Sequence, residues 1–137
     1  MAVETEFQQA IYDALTGDAA LFAACPNIFD SAPQQSDGSA GYPYIAMGYT
    51  SFSPLDSDGT LGFSALLRVH TYTATGLVSD AKAIQGLIYG VLHVGTLNMT
   101  GFECYSLTRE DSDTEPLADG VAHGVCEYRA HIKALLG

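Results

Sequence analysis

The sequence predicts an α+β fold, a mainly antiparallel sheet with two longer helices packed on one face. Three observations lead to this prediction. Residues Leu61–Tyr72 alternate apolar and polar side chains, which is the period of a strand with one buried face. After a break at Thr73–Gly76, apolar residues recur at helical spacing over positions 78–92. The predicted order is helix, short strand, hairpin, helix, hairpin, which lacks the regular strand–helix alternation of a parallel sheet.

The first longer helix is predicted near the N-terminus, beginning at Thr5 and ending at Gly17. Its apolar stripe consists of Phe7, Ala10, Ile11, Ala14 and Leu15. Asp18 is placed to cap a second, short helix over Ala19–Ala24, and Asn27–Asp30 is predicted to be an edge strand. Ser31–Gly41 has the composition of a loop.

The second longer helix follows the alternating strand. Ser79 is expected to cap its N-terminus. The apolar stripe that should face the sheet consists of Ala81, Ile84, Leu87, Ile88, Val91 and Leu92. Gly86 and Gly90 stand one turn apart, and because glycine weakens a helix, the pair predicts a close approach to a neighbouring element.

Two hairpins are predicted from the remaining segments. Tyr44–Phe52 pairs with Leu61–Tyr72 through the turn Ser53–Thr60, with Ile45, Met47 and Tyr49 on one face. Phe102–Arg109 pairs with Val121–Lys133 across an exposed acidic loop, Glu110–Gly120. In this second hairpin a register with Glu103 opposite Arg129 is favoured over one with Glu103 opposite Glu127, which would oppose like charges.

Size and composition bound the class of protein. The 137 residues predict a single domain over 1–137, with no apolar run long enough to span a membrane and no signal peptide. Cys25, Cys104 and Cys126 are an odd set without metal spacing and indicate free thiols in a reducing compartment, although Cys104 and Cys126 are expected near each other on adjacent strands. The net charge of −11 excludes a basic nucleic-acid footprint and leaves a solubility role, a DNA-mimicking surface or a surface that must not bind DNA.

No residue pattern predicts catalysis, a metal or a cofactor. The sequence lacks nucleophile-elbow, zinc-protease and phosphate-loop motifs, so an enzyme is not expected. His123, Glu127 and His131 share one strand face, but at a spacing of four residues they stand roughly 13 Å apart and cannot share an ion. His70 could join one of them across the sheet. The pairs Asp56/Asp58 and Asp111/Asp113 are fragments of a calcium loop without its remaining ligands.

Several segments carry a family resemblance. They are Tyr12–Leu21 (YDALTGDAAL), Tyr42-Pro43-Tyr44, the strand-to-helix unit Arg68–Leu92 and the final strand GVAHGVCEYRAHI. Together they resemble the tail terminator, or tail-completion, proteins of long-tailed phages and gene transfer agents. The similarity covers nearly the whole chain and consists of packing and turn patterns. Ser31–Gly41 and Glu110–Gly120 match no family motif, so no contact residue is transferred.

The resemblance implies a structural virion protein, assembled in the host cytoplasm and located at the head-proximal end of the tail. Such a subunit forms a homohexameric ring that caps the tail tube, stops its growth and offers a docking surface to the head-completion or connector protein. DNA would pass through the ring without specific binding. On this basis the acidic hairpin residues are expected to face the lumen or a partner; they are Asp56, Asp58, Glu110, Asp111, Asp113, Glu115 and Asp119.

Three alternatives stay open from the sequence. The first is a head–tail stopper or connector subunit in the same particle. The second is a free acidic inhibitor that mimics DNA, and the third is a small enzyme with an unrecognised site. Oligomeric state separates them, because a terminator should form rings or bind tubes whereas an inhibitor should remain a monomer or dimer.

Overall fold

The computed structural model describes residues 2–29, 41–56 and 59–135. Its core is a five-stranded sheet in the order β1-β2-β3-β5-β4, in which β1 is parallel to β2 and the other neighbours are antiparallel. The strands are β1 (Asn27–Phe29), β2 (Tyr44–Pro54), β3 (Gly62–Thr73), β4 (Phe102–Pro116) and β5 (Ala122–Ala134). The helices are α1 (Val3–Thr16), α2 (Ala19–Ala24) and α3 (Val78–Leu92), with a 3₁₀ turn at Ala118–Gly120. The predicted α+β class is confirmed.

The core fills the space between the sheet and the helices on one of its faces. β5 alternates buried and half-buried residues without interruption from Ala122 to Ile132, as its sequence predicts. From α1 the buried residues are Val3, Phe7, Ala10, Ile11 and Leu15, and from α3 they are Ala81, Ile84, Gln85, Ile88 and Leu92. Leu87 and Val91 pack against this core and are partly buried. The helices therefore close one face of the sheet and leave the other polar.

Two helix ends differ from the prediction. α1 begins at Val3, before Thr5, and α3 begins after Leu77, so Ser79 lies inside the helix and caps nothing. The Thr75 hydroxyl instead donates to the Asp80 carboxylate at this end. The Asp18 cap is confirmed, because its carboxylate accepts a hydrogen bond from the Leu21 N–H at 3.0 Å.

The glycines of α3 do not mediate close packing. Gly86 and Gly90 are exposed, and a Cβ added to either would meet no atom within 4 Å. The close approach occurs at Gly124 of β5, where an added Cβ would lie 2.3 Å from the Gln85 amide nitrogen. The missing side chain at Gly124 is therefore what allows the buried Gln85 to lie across the sheet.

The second hairpin is longer and differently registered than predicted. β4 continues to Pro116, so the stretch expected to be an acidic loop is mostly strand. Glu103 lies opposite Lys133, because irregularities at Cys104/Ser106 and Arg109/Asp111 shift the pairing. β2 is also irregular, between Ala46 and Tyr49, and this places Tyr49 on the surface while Ile45 and Met47 are buried. Leu61, the first apolar residue of the alternating segment and so expected on its buried face, is 60% exposed just before β3.

Candidate assembly surfaces

The sheet face opposite the helices carries a ladder of cross-strand ion pairs. Arg68 of β3 contacts Glu127 of β5 at 2.7 Å. Arg129 and Lys133 of β5 contact Glu110 and Glu103 of β4 at 3.3 and 3.4 Å. These partly exposed pairs contribute little to stability, about 0–1 kcal/mol each. Their effect is to neutralise three of the five Lys and Arg residues and to set the side-chain pattern of this face.

Imidazole and phenol rings stack at one end of the same face. His70 Nδ1 lies 2.9 Å from His123 Nε2, so His70 does join one of the other histidines across the sheet. Tyr72 stacks on His123 at 4.5 Å and on Tyr44 at 4.8 Å between ring centroids. Burial, together with the neighbouring His123 and Arg68, lowers the pKa of His70 below its ordinary value of 6.5.

These histidines do not form a metal centre. Within residues 2–29, 41–56 and 59–135, no three His, Cys, Asp or Glu side chains converge on a point that could hold an ion. Glu127 pairs with Arg68, and the ring of His131 lies beside Tyr105 with centroids 6.1 Å apart. His123 has a carboxylate neighbour in Glu115, whose oxygen is 3.7 Å from His123 Nδ1.

The structure does not bring together the six predicted acidic residues that it describes. Asp56 lies in the β2–β3 turn, where its carboxylate accepts a hydrogen bond from the Gly62 N–H at 3.0 Å. The β2–β3 turn lies at the end of the sheet where β4 begins, whereas the β4–β5 turn lies at the opposite end. At that opposite end the Gly76 N–H donates to the Gly120 carbonyl at 2.8 Å. Asp58 lies outside the described residues.

The acidic residues of the second hairpin have separate environments. Glu110 and Glu115 have basic or imidazole neighbours, as described above. The Asp111 carboxylate accepts a hydrogen bond from the Ser112 N–H, and Asp113 is exposed on β4. Asp119 occupies the left-handed conformation, with φ of 62°, in the tight turn that joins β4 to β5. This hairpin is an acidic strand and turn rather than a loop.

All three cysteines are free thiols. Burial is the main reason that the pKa of each is raised, to about 11 for Cys25, which makes the reactive thiolate scarce at neutral pH. Cys104 and Cys126 are not neighbours, contrary to the expectation. Cys104 lies opposite Ile132 and Cys126 opposite Ser112, because β4 pairs along nearly its whole length.

The outer edge of β4 is covered by α3 and the residues that follow it. The Val94 N–H donates to the Leu107 carbonyl at 2.7 Å, and the Arg109 N–H donates to His93 Nδ1 at 3.1 Å. Further along, the Gln85 amide donates to the Asp113 carbonyl at 3.2 Å. Val94 adopts φ of 51°, which is unusual for a β-branched residue and marks a constrained junction. This edge is therefore occupied over residues 107–113.

Sequence reasoning missed two residues that stand apart from the ion-pair ladder. Lys82 of α3 and Arg109 of β4 both line a groove of about 410 Å³ between these two elements. The sequence shows that the chain has five basic residues. It does not show which of them contact carboxylates, because the contacts on the sheet depend on the strand register.

Comparisons with known proteins identify the class. A chain in a solved structure titled "Virion of native gene transfer agent (GTA) particle" superposes with a TM-score of 0.86, at 18% identity, covering 97% of this chain and 98% of that one. The two chains therefore share one fold. No curated protein matches the sequence.

The family follows from the sequence itself. The model of the family described as tail completion protein gp17 matches residues 9–133, so this chain belongs to that family. It is a bacteriophage-type structural protein of the virion tail. The resemblance to tail-completion proteins predicted from the sequence is confirmed. No helix in the described ranges is long and apolar enough to cross a membrane.

Proposed function

We propose that this chain, acting as a single domain over residues 1–137, forms a hexameric ring on the head-proximal end of the tail tube. The ring terminates tube growth and offers a docking surface to the head-completion or connector protein. The observation that carries the proposal is the family match over residues 9–133. The groove between α3 and β4, lined by Lys82 and Arg109, supports it, because a subunit whose task is assembly needs an ordered surface for its neighbours.

The same proposal makes the protein a non-enzyme. The described cysteines have raised thiol pKa values, and the histidine pair is flanked by tyrosine rings and Glu115 without a nucleophile between them. A general acid–base or nucleophilic mechanism needs a nucleophile held within hydrogen-bond reach of a base. Neither the ladder nor the stack on the polar face supplies one among the described residues.

The acidic charge bears on the passage of DNA. Six subunits at −11 each would give a ring of −66, by six times −11. Like charges facing each other destabilise an interface, so this charge belongs on the lumen and the two flat faces of the ring. We place at least one of the two acidic hairpin ends, Asp56 to Asp58 or Glu110 to Asp119, toward the channel or the tube. DNA then passes without specific binding.

A free DNA-mimicking inhibitor is a poorer candidate. Such a surface needs carboxylates that are left negative at phosphate-like spacing. Here Glu103, Glu110 and Glu127 are each neutralised by a base on an adjacent strand. Of the described acidic hairpin residues, Asp56 lies at one end of the sheet and Asp119 lies at the other.

The proposal is tested by polymerising tail-tube protein with and without the purified chain and measuring tube lengths by negative-stain electron microscopy. The expected result is shorter, uniform tubes, each with added density at one end. A triple variant, Asp111→Asn, Asp113→Asn and Glu115→Gln, should fold normally, since exposed changes usually stay within about 0.5 kcal/mol. It should change the salt dependence of capping. Tubes that grow to the same length with and without the chain would refute a terminator.

A further inference from the structure

Two of the five bases have no acidic partner among the described residues, and both line the same groove. Arg68, Arg129 and Lys133 are paired on the polar face. Within the described ranges, Lys82 and Arg109 contact no carboxylate within ion-pair distance, and both line the groove between α3 and β4. Asp113 is the one acidic residue in the described lining, so the groove is formally positive in a chain of net charge −11.

The arginine of this groove is held in place before any partner arrives. Its guanidinium lies over the ring of Tyr89, with the carbon 4.3 Å from the ring centroid. Tyr89 in turn stacks on His93 at 4.4 Å, and His93 accepts the hydrogen bond from the Arg109 N–H. A cation fixed in this way loses little conformational entropy on binding, so Arg109 adds fixed positive charge to the groove beside Lys82.

The walls of the groove are fixed, and its helical side is open. Gln85 ties α3 to the Asp113 carbonyl, in the space left by Gly124. Gly86 presents no side chain, and an added Cβ there would touch nothing within 4 Å. A partner can therefore approach the surface of α3 directly, between Lys82 and Arg109. Gly86 thus leaves room for a partner on the exposed surface of α3, although it is not needed for packing inside the subunit.

We propose that this groove receives a second copy of the chain, through the acidic outer face of α1. The contact rests on the ring proposed above and names the surfaces that build it. α1 carries Glu4, Glu6 and Asp13 and no base. Glu4 is exposed and meets no described base, whereas Glu6 accepts a hydrogen bond from the Thr100 N–H. Glu4 is therefore the carboxylate assigned to Lys82 of the neighbouring copy.

The α1 side has the shape to receive a long basic side chain. A second groove, of about 590 Å³, runs between α1 and β1 and is lined by Glu4, Gln8, Tyr12 and Phe29 among others. The carboxylate and the Gln8 amide oxygen can accept hydrogen bonds from an ammonium group. The rings provide apolar surface for the lysine stem. Lys82 is exposed and long enough to enter such a groove.

The positions of the two grooves favour a ring. β1 and β4 are the opposite edges of the sheet, so the acidic and basic grooves lie on opposite sides of the subunit. Contact between different surfaces of identical subunits is head-to-tail, and such contacts close into rings when the rotation permits. Complementary charge at the contact also offsets the repulsion between subunits that are each strongly acidic.

A charge-swap experiment tests the contact. Lys82→Glu and Glu4→Lys are made singly and together, and assembly is followed by sedimentation velocity and by electron microscopy with tail-tube protein. Each single variant is expected to weaken assembly by at least about tenfold, and the double variant to return to within about threefold of the original chain. Lys133→Glu is the matched control, because it changes the net charge by the same amount on the polar face.

Each outcome bears on the proposal in a defined way. Single variants that assemble like the original chain, or a double variant that stays as defective as the singles, overturn the α1–α3 contact while leaving the ring intact as a function. A control that fails as badly as Lys82→Glu shows a general charge effect and also overturns the contact. An original chain that stays monomeric with and without tubes refutes the ring itself.

Discussion

The two edges of the sheet differ in how far other parts of the chain cover them. At the β4 edge, the Leu107 and Asp113 carbonyls accept hydrogen bonds from Val94 and Gln85, and the Arg109 N–H donates to His93. At the other edge, β1 pairs only with Tyr44–Ala46, and no described strand lies against the outer side of Tyr49–Pro54. Exposed edges invite pairing with another chain, so natural proteins usually cover or interrupt them. Here a helix covers the long edge, and its anchoring decides what that edge can bind.

The largest expected effect comes from loosening the anchor of α3. Ile88 is fully buried between the helix and the sheet. Ile88→Ala should lower the free energy of unfolding by about 2–5 kcal/mol, as large-to-small core substitutions do. Urea denaturation followed by circular dichroism measures the loss. A loss within experimental error would show that α3 is not held by this contact.

Gly124→Ala should disturb the contact between α3 and the β4 edge by displacing Gln85. The added methyl group would overlap the Gln85 amide, so Gln85 must move and the Asp113 carbonyl loses its donor. The expected cost is about 1–3 kcal/mol, the range for overpacking or for an unmade buried hydrogen bond. Gly86→Ala is the matched control and should gain up to about 1 kcal/mol, because its site is open and alanine favours helix. Equal effects of the two substitutions would contradict the role given to Gly124.

His93→Ala should uncover the middle of the edge at a smaller cost in stability. Its ring accepts the Arg109 N–H and supports Tyr89. We expect a loss of about 1 kcal/mol, the value of a typical hydrogen bond, together with increased light scattering as β4 becomes available for pairing. His131→Ala serves as the control, since among the described residues its ring makes only the Tyr105 contact. Scattering that rises equally in both variants would argue against coverage by His93.

The smallest effect concerns pH and the polar face. The pKa of His70 is lowered in the folded state, so the unfolded chain binds this proton more readily. The stability gained from a neutral His70 is therefore present above pH 6.5 and is lost as the pH falls through the lowered folded value. His70→Asn should reduce the difference in unfolding free energy between pH 7.5 and about pH 5. An unchanged difference would mean that other groups cause it.

The outline of this fold could be predicted from the sequence because burial follows simple periods. The alternation in β5 and the stripe of Phe7, Ile11 and Leu15 each required only local reading, and both are confirmed. The α3 stripe required a correction, since polar Gln85 is buried while Leu87 is only partly so. That burial depends on Gly124, which is distant in sequence.

The surfaces were harder to predict because they depend on register. Two irregularities in β4 place Glu103 opposite Lys133 instead of Arg129. No local sequence pattern predicts these irregularities. The strand character of Glu110–Pro116 was hidden by its acidic composition, which is typical of loops. Consequently the sequence could not show that Lys82 and Arg109 are the two bases outside the described ion-pair ladder.

The most direct measurement is a cryo-electron microscopy reconstruction of tail-tube ends assembled with this chain. We predict a closed ring of six copies at one end of the tube, with the α1–β1 side of each copy against the α3–β4 side of the next. The acidic hairpin ends should face the channel or the flat faces of the ring. Tube ends without added density would contradict the proposed capping ring. A ring whose copies meet through the ion-paired sheet face would contradict the proposed contact between subunits.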